Sequence, residues 1–323
     1  EKVRMRVMQQ AASASWLKSR LVAWAVEKSA QHAQRVADGQ AAGLWDRMTL
    51  GLASTLVLEK IGAQLRERFG GKMRFFVSGG APLSKKVGQF FEDVGVVICE
   101  GYGLTETTAP ICFNLPYERR IGTVGKVMPG TQLRIAADGE ILVRGDAVFQ
   151  GYWNQPQNTK EMFNDGWLCT GDVGHIDQDD FVCITDRKKD IIVTAGGKNI
   201  APQKIEMAFK AQSPLIGYVV AYGDKKPFLT ALMVLEEETL LSWAAQRKIK
   251  GSYQELTQHA LVRKAIEKSV SEVNAQLPRH EQIKRFCVLD HDLVVGKQLT
   301  PTLKVKRSVC YELYKDQFNK LYV

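Results

Sequence analysis

Two short apolar segments, each ending in glycine, flank a segment with helical character between residues 73 and 103. In order they read MRFFVSGG, APLSKKVGQFFEDVG and VVICEGYG. Short apolar runs that end in a glycine turn and lead into a helix are typical of buried parallel strands. The chain is therefore predicted to contain an α/β domain built on a parallel sheet.

The residues around this segment predict two further parts of the same domain. Residues 1 to about 70 follow a helical pattern, with apolar side chains three or four positions apart. Residues 119–185 contain four short strands separated by Gly, Asp and Asn turns, which predicts a small antiparallel β-subdomain. The four strands are TQLRIAA, GEILVRG, WLCTGDVGHID and FVCITD. The helical stripe consists of Leu17, Leu21, Trp24, Leu56, Leu58 and Ile61.

A second domain of α+β type is predicted over residues 188–323. Pro202 is suited to the first turn of a helix, with Ile205 and Phe209 on one face. The strands GYVVAYG and FLTALMVL follow, then long helices between about 236 and 277, a strand KRFCVLD and a closing helix after Lys306. The predicted organisation is therefore one domain over 1–187 and a smaller one over 188–323.

Charge and cysteine content limit the ligands and the compartment. Forty-four Lys and Arg against 35 Asp and Glu give a net charge of +9, which suits a nucleotide, coenzyme A, a nucleic acid or an acidic membrane. Charge alone does not choose among these ligands. The six cysteines form no CxxC pair and are predicted to be reduced core residues, which points to the cytoplasm.

The first helices are predicted to have strongly basic polar faces. A solvated face is the interpretation we favour, and peripheral contact with the inner face of a membrane is the alternative. The opening EKVRMRVMQQ is charged and does not lead into the apolar run of a secretory signal. It also begins without Met inside a helical pattern, so we expect further sequence upstream. The basic residues are Lys2, Arg4, Arg6, Lys18, Arg20, Lys28 and Arg35.

Several common site types are excluded. Gly101, Tyr102 and Gly103 do not begin a dinucleotide fingerprint, because its third glycine position is Glu106. No GxxxxGK[ST] loop and no Ser-His-Asp arrangement is found, and no nucleic-acid partner is expected. The histidines have no metal-binding spacing and are predicted to be structural or exposed; they are His32, His175, His259, His280 and His291.

Four segments in a fixed order indicate a specific chemistry. They are SGGAPLS (78–84), EGYGLTETT (100–108), DGWLCTGD (165–172) with ITDRKKDIIVTAGGKNIAP (184–202), and LTPTLKVKR (299–307). Together they resemble the AMP-forming acyl-CoA synthetases, an adenylate-forming superfamily that includes luciferases and peptide synthetase adenylation domains. Their amino-acid sequences are most similar to those of the long-chain fatty acid members. The resemblance extends from about residue 70 to the C-terminus, and more loosely through the helices before it.

This resemblance implies both a fold and a reaction. Residues 1–187 would be the C-terminal part of a large adenylate-forming domain, and 188–323 a small mobile α+β domain. The implied enzyme uses ATP and Mg²⁺ to activate a fatty acid as acyl-AMP, and then transfers the acyl group to coenzyme A. Two alternatives are a ligase that loads a carrier protein, and a noncatalytic remnant that binds a nucleotide or a partner through its basic helices.

The segment EGYGLTETT has residues suited to binding a nucleotide. Gly101 and Gly103, after Glu100, allow the backbone to approach a ligand, and Tyr102 offers a ring face for adenine. Thr105 can donate a hydrogen bond to the α-phosphate, and Glu106 is an oxygen ligand suited to Mg²⁺. The resemblance implies the same roles. A capped loop is the structural alternative for this segment taken alone.

Two other segments supply further candidates for the same site. Gly79, Gly80 and Ala81 are small, and the resemblance implies that their backbone lines the adenine and acyl pocket; a strand-to-helix turn capped at Ser84 is the structural alternative. Asp172 matches the aspartate that accepts both ribose hydroxyls, which suits a carboxylate. Arg187 resembles an arginine that reaches ribose or phosphate.

The second domain is expected to move and to bring a lysine to the reaction. Lys189 lies where the family has its hinge, so a rotation there would let one cavity serve two half-reactions. The resemblance implies that Lys304 neutralises charge between the attacking carboxylate and the α-phosphate, with Lys306 as its competitor. The family more often has glycine before this lysine, where this chain has Leu303. Coenzyme A contacts are implied for Gly196, Gly197 and Lys198.

One expected motif is not found in this sequence. The superfamily has a Ser/Thr/Gly-rich loop ending in Lys-Gly that holds the β- and γ-phosphates. Its place would be well upstream of SGGAPLS, before Glu1. We therefore expect the N-terminal half of the same enzyme to be a missing partner, and expect this chain alone to adenylate poorly. Acyl chain length is not predicted by these motifs.

Overall fold

The computed structural model describes residues 3–4, 6–8, 16–37, 43–108 and 110–323. The chain divides into two compact units, Glu1–Ile184 and Thr185–Val323. The predicted domain boundary, between 187 and 188, lies just after this division. Among the basic residues predicted for the first helices, Lys2 lies outside the described residues.

The first unit begins with the predicted helices. Helix α1 spans Trp16–Ala37, α2 spans Leu44–Ala53, a π-helical turn spans Ser54–Leu58, and α3 spans Glu59–Arg68. Ala53, Val57, Leu58 and Leu65 are buried against the following elements. The apolar stripe faces the core only in part, since Leu17 is 70% exposed and Leu21 and Leu56 are also exposed. Periodicity identifies an apolar face but does not show what covers it.

A parallel strand pair with one helix follows, as predicted. Strand β1 (Phe76–Ser78), helix α4 (Lys85–Asp93) and strand β2 (Ile98–Tyr102) form this unit, in which β1 pairs with β2 in parallel. Strands β3 (Cys112–Phe113) and β4 (Lys126–Val127) extend the sheet antiparallel, in the order β1-β2-β3-β4. The α/β fold class is therefore confirmed.

The four strands predicted for the β-subdomain are all present. They are β5 (Thr131–Ile135), β6 (Glu140–Gly145), β8 (Trp167–Ile176) and β9 (Val182–Arg187). Short elements that were not predicted, helix α5 (Pro156–Glu161) and strand β7 (Phe163–Asn164), lie between β6 and β8. The sheet order is β5-β6-β8-β7, and β9 pairs with β8.

The second unit is an α+β arrangement around one three-stranded sheet. Strand β13 (Leu229–Leu235) pairs antiparallel with β12 (Ile216–Tyr222) and parallel with β14 (Ile283–Val288). All seven residues of β13 are buried, and they alternate between two apolar clusters, with Met233 in one and Leu232 in the other. This alternation shows that both faces of the sheet are covered. The elements are β10 (Ile192–Val193), β11 (Asn199–Ile200), α6 (Pro202–Gln212), β12 (Ile216–Tyr222), β13 (Leu229–Leu235), α7 (Glu237–Gln246), α8 (Tyr253–Gln258), α9 (Ala260–Asn274), β14 (Ile283–Val288), α10 (Arg307–Leu313) and α11 (Lys315–Lys320).

Within the described ranges, no helix combines the length and the apolar character required to cross a bilayer.

Candidate functional site

The carboxyl ends of β1 and β2 place two motif segments side by side. Ser78 is paired with Glu100 in the parallel register, so the SGGAPLS loop and the start of EGYGLTETT leave the sheet together. A Cβ atom on Gly79 would lie 3.4 Å from the carbonyl oxygen of Gly101. Gly80 has φ of +74°, a left-handed conformation that glycine adopts readily. Ligands of open α/β sheets commonly bind at this edge.

Glu100 links these two loops directly. Its Oε2 accepts a hydrogen bond from the backbone N–H of Leu83, at 3.4 Å. Burial raises the pKa of the Glu100 carboxyl to about 7, although hydrogen bonds from the backbone of Leu83 and Gly122 act in the opposite direction. The carboxyl that joins the loops therefore changes charge near neutral pH.

Tyr102 and Asp172 meet although 70 positions separate them in the sequence. The Tyr102 hydroxyl donates a hydrogen bond of 2.7 Å to Oδ2 of Asp172, and the two residues are only 8% and 5% exposed. Burial, together with the neighbouring carboxylate, raises the pKa of Tyr102, so the hydroxyl stays a neutral donor. The small exposed fraction of Tyr102 limits the ring area that it offers to adenine in this conformation.

A left-handed glycine turn in β8 presents Asp172. Gly171 has φ of +70°, and its N–H donates to Glu140 Oε1 at 2.9 Å. The Asp172 N–H donates to Thr170 Oγ1 at 3.1 Å, and this threonine donates in turn to the carbonyl of Ile141. A carboxylate offers about four acceptor directions. Asp172 can therefore accept hydrogen bonds from more than one donor.

Thr105, Glu106 and Thr107 form a single 3₁₀ turn after β2. Thr107 is fully buried, and its Oγ1 accepts from the N–H of Leu104 at 2.8 Å. This bond fixes the turn, so that the side chain of Thr105 is exposed to solvent. The side chain of Glu106 is oriented separately, because its Oε1 accepts a 2.6 Å hydrogen bond from the hydroxyl of Tyr152.

Tyr152 is a site residue that the sequence analysis missed. The hydrogen bond to Glu106, followed by burial, raises the pKa of Tyr152 and keeps it protonated. The signal that could have identified it is the tyrosine after Gly151 in a polar loop with Pro156. An open pocket of about 490 Å³ adjoins it, lined by Gln150, Gly151, Tyr152, Trp153, Asn154, Pro156, Thr159 and Lys160.

Glu106 is compatible with a magnesium ion that the phosphates also hold. In the part of the chain that the structure describes, no group of three or more His, Cys, Asp or Glu forms a metal cage. Mg²⁺ is commonly held by one or two carboxylates together with substrate phosphates and water. With Oε1 bonded to Tyr152, Glu106 can direct Oε2 to such an ion.

The predicted ribose arginine and hinge lie at the start of the second unit. Arg187 ends β9, and its backbone N–H donates to Oδ1 of Asp186 at 2.7 Å. The other oxygen of Asp186 accepts from the N–H of Gln203 in the first turn of α6. Lys189 is exposed in the turn that follows, which the Asp190 N–H closes by donating to the carbonyl of Arg187.

The predicted coenzyme A contacts lie at the exposed tip of the β10–β11 hairpin. Gly197 has φ of +70°, and no atom lies within 4 Å of the position that its Cβ would take. The backbone N–H of Lys198 donates to Oγ1 of Thr194 at 3.2 Å and closes the tip. Gly196 and Lys198 are exposed beside it.

The two candidate lysines near the C-terminus differ in their contacts. The Lys306 ammonium donates to the carbonyl of Gly296 at 3.1 Å and so is engaged within its own loop. Lys304 is exposed, and its ammonium has no hydrogen bond or ion pair with the residues described. Leu303, just before it, has φ of +61°, which explains why glycine suits this position. The geometry favours Lys304 as the lysine that can reach a ligand.

The structure thus groups some of the predicted residues and separates others into units. In the first unit, Tyr102 contacts Asp172 and Glu106 contacts Tyr152, while Glu100 ties the two glycine loops together. Six further candidates belong to the second unit, and their convergence with the first-unit residues on one nucleotide stays a prediction. They are Arg187, Lys189, Gly196, Gly197, Lys198 and Lys304.

Comparison with protein families gives two matches that together span most of the chain. A profile described as AMP-binding enzyme matches residues 21–153. A second profile, described as AMP-binding enzyme C-terminal domain, matches residues 189–323. Each profile falls within one of the two predicted domains.

Individual relatives agree with the family profiles. The long-chain-fatty-acid–CoA ligase FadD15 of Mycobacterium bovis is 41% identical over 326 residues, which cover 100% of this chain and 53% of that protein. Human long-chain-fatty-acid–CoA ligase 1 is 35% identical over 296 residues, covering 86% of this chain and 40% of its own length. The chain therefore spans about half the length of these curated relatives.

A solved structure supports the fold. The adenylation domain of a carboxylate reductase from Mycobacterium chelonae matches with a TM-score of 0.65 at 24% identity. The match covers 94% of this chain and 45% of that chain. At this identity the match shows the fold alone.

Proposed function

Because the chain belongs to the AMP-binding enzymes, we propose that it carries the nucleotide site and the C-terminal domain of a long-chain fatty acid–CoA ligase. The observation that supports this most directly is the contact between Tyr102 and Asp172. It brings the EGYGLTETT and DGWLCTGD segments together through a buried 2.7 Å hydrogen bond. A carboxylate fixed in this way is suited to accept two adjacent ribose hydroxyls.

In the proposed first step, a fatty acid carboxylate oxygen attacks the α-phosphate of ATP and pyrophosphate leaves. Asp172 holds the ribose, and the exposed hydroxyl of Thr105 donates to an α-phosphate oxygen. Lys304 supplies a compact cation between two anionic groups, where charge accumulates in the transition state. Magnesium, when bound at Glu106, neutralises phosphate charge.

In the proposed second step, the coenzyme A thiolate attacks the acyl carbonyl, and AMP leaves with the electrons of the mixed anhydride bond. Rotation at the proposed pivot, Lys189, would move the Lys304 loop away from the acyl-adenylate and bring the tip of the β10–β11 hairpin to it. That tip offers Gly196 and Gly197, whose lack of side chains permits close approach of a narrow ligand. Lys198 adds a positive charge suited to phosphate.

The substrate class rests on the names of the relatives. FadD15 and human long-chain-fatty-acid–CoA ligase 1 are both described as ligases of long-chain fatty acids. Their identities of 41% and 35% with this chain support the same substrate class here. The net charge of +9 also suits a site for ATP and coenzyme A.

The surface of the first unit suggests that a further segment of polypeptide packs against it. A stripe of apolar side chains at helical spacing is exposed along the helical residues 44–68, and it consists of Trp45, Met48, Leu52 and Leu56. Adjacent exposed apolar side chains of this kind are typical of a face that another element covers. We infer that the polypeptide supplying the phosphate-binding loop covers this stripe in the active enzyme.

Binding of a nonhydrolysable acyl-adenylate analogue to this chain tests the nucleotide site. Asp172→Ala should weaken binding by about 10- to 100-fold, because hydrogen bonds to a charged acceptor contribute about 1.5–3 kcal/mol each. Asp179→Ala is a matched control, since Asp179 is exposed in the same subdomain and pairs with Arg120. Equal affinity of the chain and Asp172→Ala would refute the proposed site.

The acceptor is tested with the upstream polypeptide supplied in trans. Release of AMP from ATP and palmitate should depend on coenzyme A, and Lys304→Ala should slow it by about 100-fold or more while Lys306→Ala changes it far less. Release that requires a carrier protein instead would refute the coenzyme A assignment. Analogue binding without AMP release in any combination would favour the noncatalytic alternative.

A further inference from the structure

Arg307 is a buried cation three residues after Lys304. It is the first residue of α10 and only 8% exposed. Its Nη1 donates to Glu206 Oε1 at 2.5 Å, and its Nη2 donates to Glu206 Oε2 at 3.1 Å. Two parallel bonds of this kind fix the guanidinium in orientation as well as in position. The start of α10 is therefore held against α6, which carries Glu206.

Glu206 connects this pair to a third element. Its Oε1 also accepts the backbone N–H of Ala221 in β12, at 2.8 Å. Tyr311, one turn after Arg307, donates its hydroxyl to the carbonyl of the same Ala221 at 2.8 Å. Burial opposes the charge on Arg307, but the Glu206 carboxylate outweighs it and raises the pKa of the guanidinium. The pair joins α6, β12 and α10.

A buried ion pair is a poor source of stability, because desolvation offsets most of its attraction. Replacing a buried ion pair by apolar residues of similar size is often neutral or stabilising in proteins. What the pair does supply is one defined geometry, since a displaced guanidinium would leave a charge unpaired in the interior. The arrangement is therefore better explained by positioning than by stability.

The loop that carries Lys304 is short and has its own internal bonds. The N–H of Lys304 donates to Oγ1 of Thr300 at 3.0 Å, and the N–H of Thr300 donates to the Lys304 carbonyl at 2.8 Å. The Lys306 N–H donates to the carbonyl of Gln298 at 2.7 Å. These bonds set the shape of the loop, whereas Arg307 sets its place relative to α6.

The same guanidinium faces the residue after the predicted pivot. Nε of Arg307 is buried and has no hydrogen bond, but it forms an ion pair with Oδ2 of Asp190 at 3.7 Å. Asp190 directly follows Lys189 and closes the turn with Arg187. The guanidinium therefore links the start of α10 to this turn through an ion pair, in addition to its hydrogen bonds with Glu206.

We propose that Arg307 is a positioning residue for Lys304, which it fixes to α6 through Glu206 and to the pivot turn through Asp190. The loop and the turn then move together as one rigid body. A rotation of the backbone at Lys189 therefore turns Lys304 through the same angle. The inference rests on the proposed function only for the role of Lys304 itself. The contacts of Arg307 with Glu206 and Asp190, called the clamp below, can be tested without measuring enzyme activity.

Hydrogen exchange of backbone amides in the whole chain tests this clamp. Arg307→Lys keeps the charge but cannot form both bonds of the fork. It should speed exchange at Thr300, Lys304 and Lys306 by about tenfold, while the amides of β13 are unchanged. Lys204→Met is the matched control, because it removes an ion pair with Glu281 from the same helix and should leave the loop unaffected.

Uniform acceleration across the second unit in Arg307→Lys would show a purely stabilising role and overturn the proposal. Unchanged loop exchange would overturn it as well. If Arg307→Lys does not fold, Asp190→Asn provides the test, because it disturbs only the turn contact and should speed exchange at Lys304 by about two- to threefold. Loop exchange equal to that of the unaltered chain would then refute the proposal.

The role of Lys304 in the proposed function is tested separately from the clamp. If the loop is loosened as expected but Lys304→Ala leaves AMP release unchanged in the supplemented reaction, the clamp stands and the role of Lys304 falls. If Lys304→Ala abolishes AMP release, Arg307→Lys should lower kcat by about tenfold with little change in KM, because a misplaced cation loses only transition-state contact.

Discussion

The two units differ in how completely they cover their apolar side chains. In the second unit, β13 is buried along its whole length, with an apolar cluster on each face of the sheet. In the described part of the first unit, β1 is an edge strand whose Val77 is largely exposed, and the apolar stripe of Trp45, Met48, Leu52 and Leu56 is also exposed. Parallel strands are normally covered on both faces. Within the described residues, the second unit therefore covers both faces of its sheet, whereas the first unit, which has two apolar clusters, leaves more of its large apolar side chains exposed.

This difference separates what each unit requires in order to fold. A unit with a closed core gains its burial from its own residues, whereas an open one leaves apolar surface in water. The candidate nucleotide residues Tyr102, Glu106 and Asp172 belong to the open unit, and Lys304 belongs to the closed one. Nucleotide affinity should therefore depend on how the open face is covered, while the geometry of the Lys304 loop should not.

The largest expected effect is on folding of the separated units. A chain of residues 185–323 should unfold in one cooperative urea transition, because its clusters are complete. A chain of residues 1–184 should bind the dye ANS strongly and show a broad transition, because its apolar stripe is exposed. Circular dichroism and ANS fluorescence distinguish the two. A cooperative, dye-free 1–184 chain would remove the proposed contrast.

Truncation of matched apolar residues tests the same contrast within the whole chain. Phe209→Ala in α6 should cost about 3–5 kcal/mol of unfolding free energy, because the fully buried ring leaves a cavity. Leu52→Ala in α2 should change it by less than about 0.5 kcal/mol, because that side chain is more than half exposed. Urea titration measures both values. A cost above about 2 kcal/mol for Leu52→Ala would show that the stripe is already covered.

A smaller effect should appear in the pH dependence of the first unit. Glu100 has a pKa of about 7, raised by burial from its usual 4.5, so the folded chain holds this proton more tightly than the unfolded chain. Its contribution to stability is fully present below pH 4.5 and is lost as pH rises through about 7. In Glu100→Gln, the fall in unfolding free energy as the pH rises should be smaller by about 1–2 kcal/mol.

Urea titrations at pH 5 and pH 8 measure this difference directly. Glu67→Gln is the control, because Glu67 is exposed in α3 of the same unit. It should leave the pH dependence as it is in the unaltered chain. A decline that persists in Glu100→Gln would assign the effect to another group, of which Asp186, with a pKa raised to about 6 by burial, is the first to examine.

Periodicity and glycine turns were sufficient to predict the main strands and helices of both units. They could not show that Leu17 would be exposed, because an apolar face is visible in sequence whereas its cover is not. The motif sequences predicted Tyr102 and Asp172 as separate candidate site residues, but they did not predict the hydrogen bond between them. Tyr152 was missed because it lies in a loop without periodicity. The Glu206–Arg307 pair was missed because charged residues are usually exposed, so no local pattern marks them as buried.

The smallest expected effect concerns Leu303, at the edge of the closed unit. Its φ of +61° is unfavourable for a side chain with a Cβ, and with 57% exposure little packing compensates. Leu303→Gly should stabilise the second unit by up to about 1 kcal/mol, reduced by the greater freedom of glycine in the unfolded chain. Leu241→Gly, at a similarly exposed position in the middle of α7, should instead destabilise it by about 1 kcal/mol. Urea titration of both variants should therefore give opposite signs, and a loss of stability in Leu303→Gly would mean that the leucine contributes contacts that outweigh its backbone strain.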